Sequence, residues 1–201
     1  MPFSIRDMYD WAVQECSRTD VAYSQTYRNQ QTVNGITYYD CSSFVFFACW
    51  LGGGLDVGSL GFSTNLSDYH NGRANAWVVT SMVYTYLPQV PGFEFLDPKT
   101  VPWQEGDILA KTDVPRERRH TEICYALPTR TMGAHNPSAG VSINSYNTGT
   151  DYYNILIRYT GSPGPTPPHP TNRMPFIILA AGLKGKRSFP QHIPDEWKVI
   201  E

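Results

Sequence analysis

Near Gly92 the hydrophobic periodicity of the chain changes, and that change limits the folds open to it. Before it, apolar residues recur at helical spacing. Ile5, Met8, Ala12 and Cys16 share one face, as do Phe44, Phe47, Ala48 and Leu51. After it, six short segments read as strands: residues 93–96, 107–110, 121–126, 131–135, 141–145 and 154–159, most of them separated by short turns. Helices first and strands afterwards imply an α+β domain, with N-terminal helices packed on a five- to six-stranded antiparallel sheet. A chain of 201 residues has room for one such domain and an appendage.

In the helical half, Ser4 followed by Asp7 resembles a capping box and predicts a helix over 5–17. Val21-Ala22-Tyr23-Ser24 reads as a short extended piece, and the polar run to Thr37 as a loop. Residues 58–72 read as irregular. A third helix is expected over 74–87, stopped by Pro88.

The stretch that organises this half is Tyr38-Tyr39-Asp40-Cys41-Ser42-Ser43-Phe44-Val45-Phe46-Phe47-Ala48-Cys49-Trp50-Leu51, closed by three glycines, 52–54. It sets Cys41 at the start of an apolar helix, where free N–H groups and the helix dipole favour an anion. A thiolate is such an anion, and cysteines at helix N-termini beside an imidazole can have their pKa lowered from ~8.5 to roughly 3.5–7.5. The plainer reading is a half-buried thiol that begins a core helix.

Composition excludes several alternatives. A net charge of −2 with scattered basic residues gives no sign of a nucleic-acid partner. No stretch is long and apolar enough to span a membrane. Residues 1–7 lack the basic and then apolar regions of a secretory signal, so the expectation is a chain made and folded in a cytoplasm. In a reducing compartment, four cysteines without Cys-x-x-Cys argue against disulfides and against a structural zinc site. Cys16, Cys49 and Cys124 are expected to be buried thiols.

Thiol catalysis needs a base within hydrogen-bond reach of sulfur and a third group to orient that base. Of five histidines, His169 and His192 lie in or beyond a Pro-rich stretch, and His70 in a polar loop. His120 begins one expected strand and His135 ends the next, so a hairpin would bring them to one edge. The alternative is a solvent-facing histidine and a turn histidine. A zinc site from His120, Cys124 and His135 fails on reach, because four strand residues at ~3.3 Å each separate the first two by about 13 Å.

Asp40-Cys41-Ser42-Ser43-Phe44-Val45 resembles the signature of the NlpC-type cysteine peptidases, and Tyr39-Asp40-Cys41-Ser42-Ser43 the version carried by bacteriophage peptidoglycan hydrolases. The later landmarks follow in order: Gly106-Asp107-Ile108-Leu109, His120-Thr121-Glu122-Ile123, Gly133-Ala134-His135-Asn136 and Gly140-Val141-Ser142-Ile143. The resemblance covers residues 1–160 and implies a papain-like fold without metal or organic cofactor. By this resemblance Cys41 is the nucleophile, His120 the base and His135 the group orienting it, with Asn136 as the alternative third group. The Cys41 backbone N–H and Tyr23 would serve the oxyanion, and Asp40 and Ser42 would contact the substrate, unless Asp40 simply caps the helix.

The function implied is cleavage of an amide bond in bacterial peptidoglycan, as an N-acetylmuramoyl-L-alanine amidase or a stem or cross-bridge endopeptidase. The expected setting is a phage protein, made in the host cytoplasm and either released through a holin pore or carried in the virion. A rival is a non-catalytic virion or wall-binding module on the same fold; another is a thiol acyltransferase, which would want an apolar groove. Residues 161–170 read as a Pro-rich linker. The tail, 171–201, is expected to dock on a partner: a second copy, a phage tail protein or the wall.

Overall fold

The computed structural model describes residues 3–74, 83, 85–126, 130–145 and 152–161. Most of the helix expected over 74–87 falls outside these residues, as do nearly all of the expected linker and the whole tail.

Helix α1 (Ile5–Ser17) starts where expected, the Asp7 N–H donating to Ser4 Oγ at 3.2 Å. Only half a capping box forms, because the Ser4 N–H donates instead to the Gly53 carbonyl at 2.8 Å and ties α1 to the end of the next helix. Met8 and Ala12 are fully buried. Glu15 is buried as well, where it accepts from the Tyr39 hydroxyl (2.8 Å) and pairs with Arg18 (2.9 Å).

The polar run read as a loop is a hairpin. Strands β1 (Val21–Tyr23), β2 (Asn29–Val33) and β3 (Ile36–Tyr39) form a sheet in the order β1-β3-β2. Asn34 and Gly35 carry positive φ angles of 53° and 80° and turn β2 into β3, as the two central residues of a tight hairpin must. Gln30, also at positive φ (57°), is the extra residue of a bulge in β2; its amide donates to the Tyr39 hydroxyl at 2.8 Å. Parallel pairing of β1 with β3 sets Tyr23 beside Tyr39, two residues before Cys41.

Helix α2 (Cys41–Phe47) runs directly into a π-helical turn, Ala48–Gly52. Every residue of α2 is buried, Ser42 and Ser43 included, because both hydroxyls have hydrogen-bond partners. Phe44, Phe46 and Phe47 each bury a side chain worth about 1.5–3 kcal/mol. The wider π turn breaks the 3.6-residue period, so Leu51, placed on the buried face by spacing, is 37% exposed. A Cβ on Gly52 would lie 2.7 Å from Trp11 Cβ, so that glycine serves close approach to α1, while Gly54 (φ 73°) takes the left-handed turn. Within the stretch read as irregular, a short helix α3 (Leu66–His70) buries Tyr69 against Phe46, Phe47 and Trp50.

The second half delivers the expected sheet. Strands β4 (Phe93–Leu96), β5 (Ile108–Lys111), β6 (His120–Ala126), β7 (Arg130–Asn136), β8 (Gly140–Ser145) and β9 (Ile155–Tyr159) pair antiparallel in the order β4-β9-β5-β6-β7-β8. α1 packs on β7 and β8, and α2 on β6 and β7. Ile108, Ile123, Met132 and Ala134 join the large core with α1 and α2, whereas Trp103, Leu109, Cys124, Tyr153 and Leu156 form a second, smaller one. The Gly106-Asp107 turn is held by Arg158 of β9, which donates to both Asp107 oxygens at 2.9 and 2.7 Å. No helix among the described residues is long and apolar enough to cross a membrane.

Candidate active site

Cys41 is the first residue of α2, and Asp40 is its N-cap. The Ser43 N–H donates to Asp40 Oδ1 (2.8 Å), and the Asp40 N–H donates to Ser43 Oγ (2.9 Å), a reciprocal capping box. Asp40 also pairs with Arg28 (2.5 Å), which donates to Ser42 Oγ (2.6 Å). Burial pushes the Asp40 carboxyl up despite the opposing pull of Arg28 and the cap. Asp40 and Ser42 are 2% and 1% exposed. These two residues, expected to contact the substrate, bond to one another and to Arg28, and hold the start of α2. The Cys41 N–H stays in the first helical turn, which has no carbonyl of its own helix to meet it.

His120 enters from the first position of β6, close enough to Cys41 for the thiol to raise its proton affinity. Its Nε2 lies 2.6 Å from Glu122 Oε1. Strand periodicity puts His120 and Glu122 on one side of β6. The β6–β7 register, Ile123 with Met132 and Cys124 with Thr131, continued by one pair, sets Gly133 opposite Glu122 and brings His135, two residues on, to the same carboxylate. A Cβ on Gly133 would lie 3.4 Å from Glu122 Cγ, so the glycine leaves the space in which that side chain lies.

Both histidines share one carboxylate oxygen. His135 Nδ1 also meets Glu122 Oε1, and its Nε2–H donates to the Ser142 carbonyl at 2.8 Å. The two imidazole centroids are 6.3 Å apart, so His135 reaches His120 through Glu122. The remaining oxygen, Oε2, accepts from the Tyr153 hydroxyl.

The electrostatics follow from this arrangement. Burial alone would strip the proton from His120, but hydrogen bonds to Cys41 and Glu122 and their negative charges hold it well above its ordinary value. Burial would likewise push Glu122 up; hydrogen bonds from both histidines, and their charges, hold it far below the usual carboxylate range instead. Cys41 and His120 each keep 8% exposure, whereas Glu122 has none.

Tyr23 is half-buried at the end of β1. Burial raises its phenol; Cys41 and Asp40 add to that rise and His120 opposes it, which puts its ring within electrostatic reach of the pair. Its hydroxyl accepts from the Gln25 amide. Asn136, the alternative third group, is exposed and faces elsewhere: its Oδ1 accepts from Ser138 N–H, Ser138 Oγ and Ala139 N–H in the β7–β8 turn. His70 lies on another part of the surface, against Gln30 (3.1 Å). Cys49 and Cys124 are fully buried and Cys16 is half-buried; all four thiols are unpaired. Burial pushes Cys16 and Cys124 up to about 12, and raises Cys49 as well.

Glu122 is the residue that sequence reasoning passed over. Its signal was His-x-Glu at the start of a strand, a spacing that puts both side chains on one side. Among the described residues, His120, Glu122 and His135 also form a set whose ligand atoms lie within 4.8 Å of one another, close enough to hold a metal ion. The 2.6 Å separation of His120 Nε2 and Glu122 Oε1 is that of a direct charge-assisted hydrogen bond. With Oε2 taken by Tyr153 and the carboxylate fully buried, the arrangement suits proton handling better than the open coordination position of a catalytic metal.

No curated protein matches the chain. Residues 4–83, which carry Tyr23, Asp40, Cys41 and Ser42, match the model of a family described as bacteriophage peptidoglycan hydrolase, and over that segment the chain is similar to these phage cell-wall enzymes.

Proposed function

We propose that the protein is a cysteine hydrolase of the NlpC type that cleaves an amide bond of bacterial peptidoglycan. The observation that carries this reading is the place of His120, whose Nε2 lies 2.6 Å from the buried Glu122 carboxylate and whose proton affinity Glu122 and the neighbouring Cys41 both raise. Nε2 is taken by Glu122, so Nδ1 is the nitrogen that serves sulfur. In this reading Glu122 orients the base and His135 braces Glu122.

The Cys41 thiolate attacks the amide carbonyl carbon, and the carbonyl π electrons move onto oxygen. The resulting oxyanion sits by the Cys41 N–H, with Tyr23 as the side-chain support. His120 gives its proton to the leaving amine as the C–N bond breaks, and a thioester remains. His120 then takes a proton from water, hydroxide attacks the thioester, and the carboxylate product leaves as the thiolate re-forms. Burial of Glu122 keeps its charge unscreened, so the imidazolium that supplies the proton in the first half-reaction, and re-forms in the second, is stabilised in place.

The bond is either the N-acetylmuramoyl–L-alanine amide or a peptide bond of the stem or cross-bridge. Phage origin would have the enzyme reach the wall through a holin pore or in the virion. Digestion of purified sacculi, with mass analysis of the fragments, tests the reading and names the bond: new N-terminal alanine marks an amidase, split stems an endopeptidase. Iodoacetamide should stop the reaction while modifying Cys41 first, because the other three thiols are more deeply buried or held protonated. EDTA should leave the rate unchanged. Loss of activity to the chelator, with Cys41 unmodified and dispensable, would transfer the chemistry to a metal at His120, Glu122 and His135.

A further inference from the structure

We infer that Tyr153 is a positioning residue for this reaction, acting on the base through Glu122; the inference rests on the cysteine-hydrolase reading. Glu122 is fully buried, and its two oxygens have different surroundings. Oε1 faces His120 and His135. Oε2 faces the smaller core, where Leu109, its partner across the β5–β6 pair, packs with Trp103, Cys124 and Leu156. The one strong donor among those side chains, the Trp103 indole N–H, is given to the Pro98 carbonyl at 2.9 Å, so none of them serves the carboxylate oxygen. The Tyr153 hydroxyl, which donates to Oε2, provides one.

A carboxylate with one oxygen unpaired in an apolar setting has two ways to relieve the cost. It can rotate until the bare oxygen finds an N–H, or it can take up a proton. Either change spoils the bond to His120: rotation moves the acceptor off the Nε2–H axis, and protonation removes the charge that favours the imidazolium. Tyr153 blocks both. It is itself fully buried, with its ring edge-on to Trp103 at a centroid distance of 5.7 Å, so the hydroxyl is delivered from a fixed base. Residues just before β9 thus help set the reactivity of a cysteine more than a hundred positions earlier in the chain.

The test is Tyr153→Phe in the full chain, a change that keeps the ring and its packing and deletes only the hydroxyl. On a soluble muropeptide, kcat should fall about tenfold, the effect of losing one hydrogen bond to a charged group, with KM within twofold. In protein labelled with nitrogen-15 at histidine, the low-field proton between His120 and Glu122 should move upfield by more than its linewidth. A merely structural tyrosine would leave that resonance in place in whatever fraction of the variant folds. An unmoved resonance, or a kcat within twofold of the parent, overturns the inference. Retained activity in Cys41→Ser would instead overturn the cysteine reading on which it rests, so the two failures are distinguishable.

Discussion

The two halves of the candidate site are built on opposite plans. Around Cys41 the polar groups are neighbours in sequence: Asp40, Ser42 and Ser43 satisfy one another within four residues, and Arg28 is the main outside partner. Around His120 most of the contacts are distant in sequence. Glu122 meets His135 from the next strand and Tyr153 from beyond β8. The first half presents a thiol at a helix start by local chain geometry. The second sets the proton affinity of His120 by cross-strand register and burial. Damage to the first should therefore be felt as lost chemistry at Cys41 itself or as lost stability, and damage to the second as a changed pH response.

The largest effect should come from Cys41→Ser, which leaves the sheet half intact. Wall lysis should drop by at least about a thousandfold while the melting temperature stays near the parent's. Lysis at more than a few per cent of the parent rate would remove Cys41 as the nucleophile.

Next is Glu122→Gln, which keeps shape and loses charge. Turnover should fall by roughly a hundredfold or more. The carboxylate helps to hold His120 above its ordinary range, so the alkaline limb of the parent's pH–rate profile should lie well above pH ~6.5. In the variant that limb should move to lower pH; an unshifted limb would mean that Glu122 does not tune the base. The same pair affects stability at both ends of the pH scale. Glu122, depressed in the fold, contributes above its unfolded value, and that contribution is lost as pH falls through its folded value. His120, raised in the fold, contributes below its unfolded value, and that contribution is lost as pH rises through its folded value.

Asp40→Asn probes the first half in the opposite sense. Asparagine still caps a helix, but Arg28 loses its charge partner. Stability should fall by about 2 kcal/mol, less than for a fully buried pair because Arg28 is 16% exposed. A thermal melt reads this, and kcat of the folded protein should change little. If kcat falls as far as in Glu122→Gln, then Asp40 belongs to the chemistry after all.

The smallest effect expected is that of Asn136→Ala, within about twofold on turnover, since its carboxamide closes a turn. His135→Ala should cost more, about tenfold, by leaving Glu122 short of a donor. A reversed order would make Asn136 the orienting group.

Much of this was legible before any coordinates. Ser4 and the spacing of Met8 and Ala12 gave α1, and alternation with turn residues gave all six strands of the large sheet to within about a residue. Of the small sheet only β1 is legible, as the short extended piece at Val21; the β2–β3 hairpin is not, because β2 is almost wholly polar and shows no alternation. Its real signal was Asn34-Gly35, whose two positive φ angles make the tight turn. Leu51 was assigned to the wrong face because periodicity assumes an α-helical turn, and a π turn follows Phe47.

Sequence by itself determined the setting of Cys41, since a helix start is specified by the few residues that cap it and the apolar run that follows. Only the tertiary structure decided what stands behind His120. A carboxylate fully removed from water is held charged by groups from two other places in the chain, and such burial and register are set by the packing of the whole sheet. His-x-Glu could mark Glu122 as a neighbour of His120. That Glu122 is shared with His135 follows from pairing across β6 and β7, and that Tyr153 reaches its other oxygen from the approach to β9; no local spacing records either.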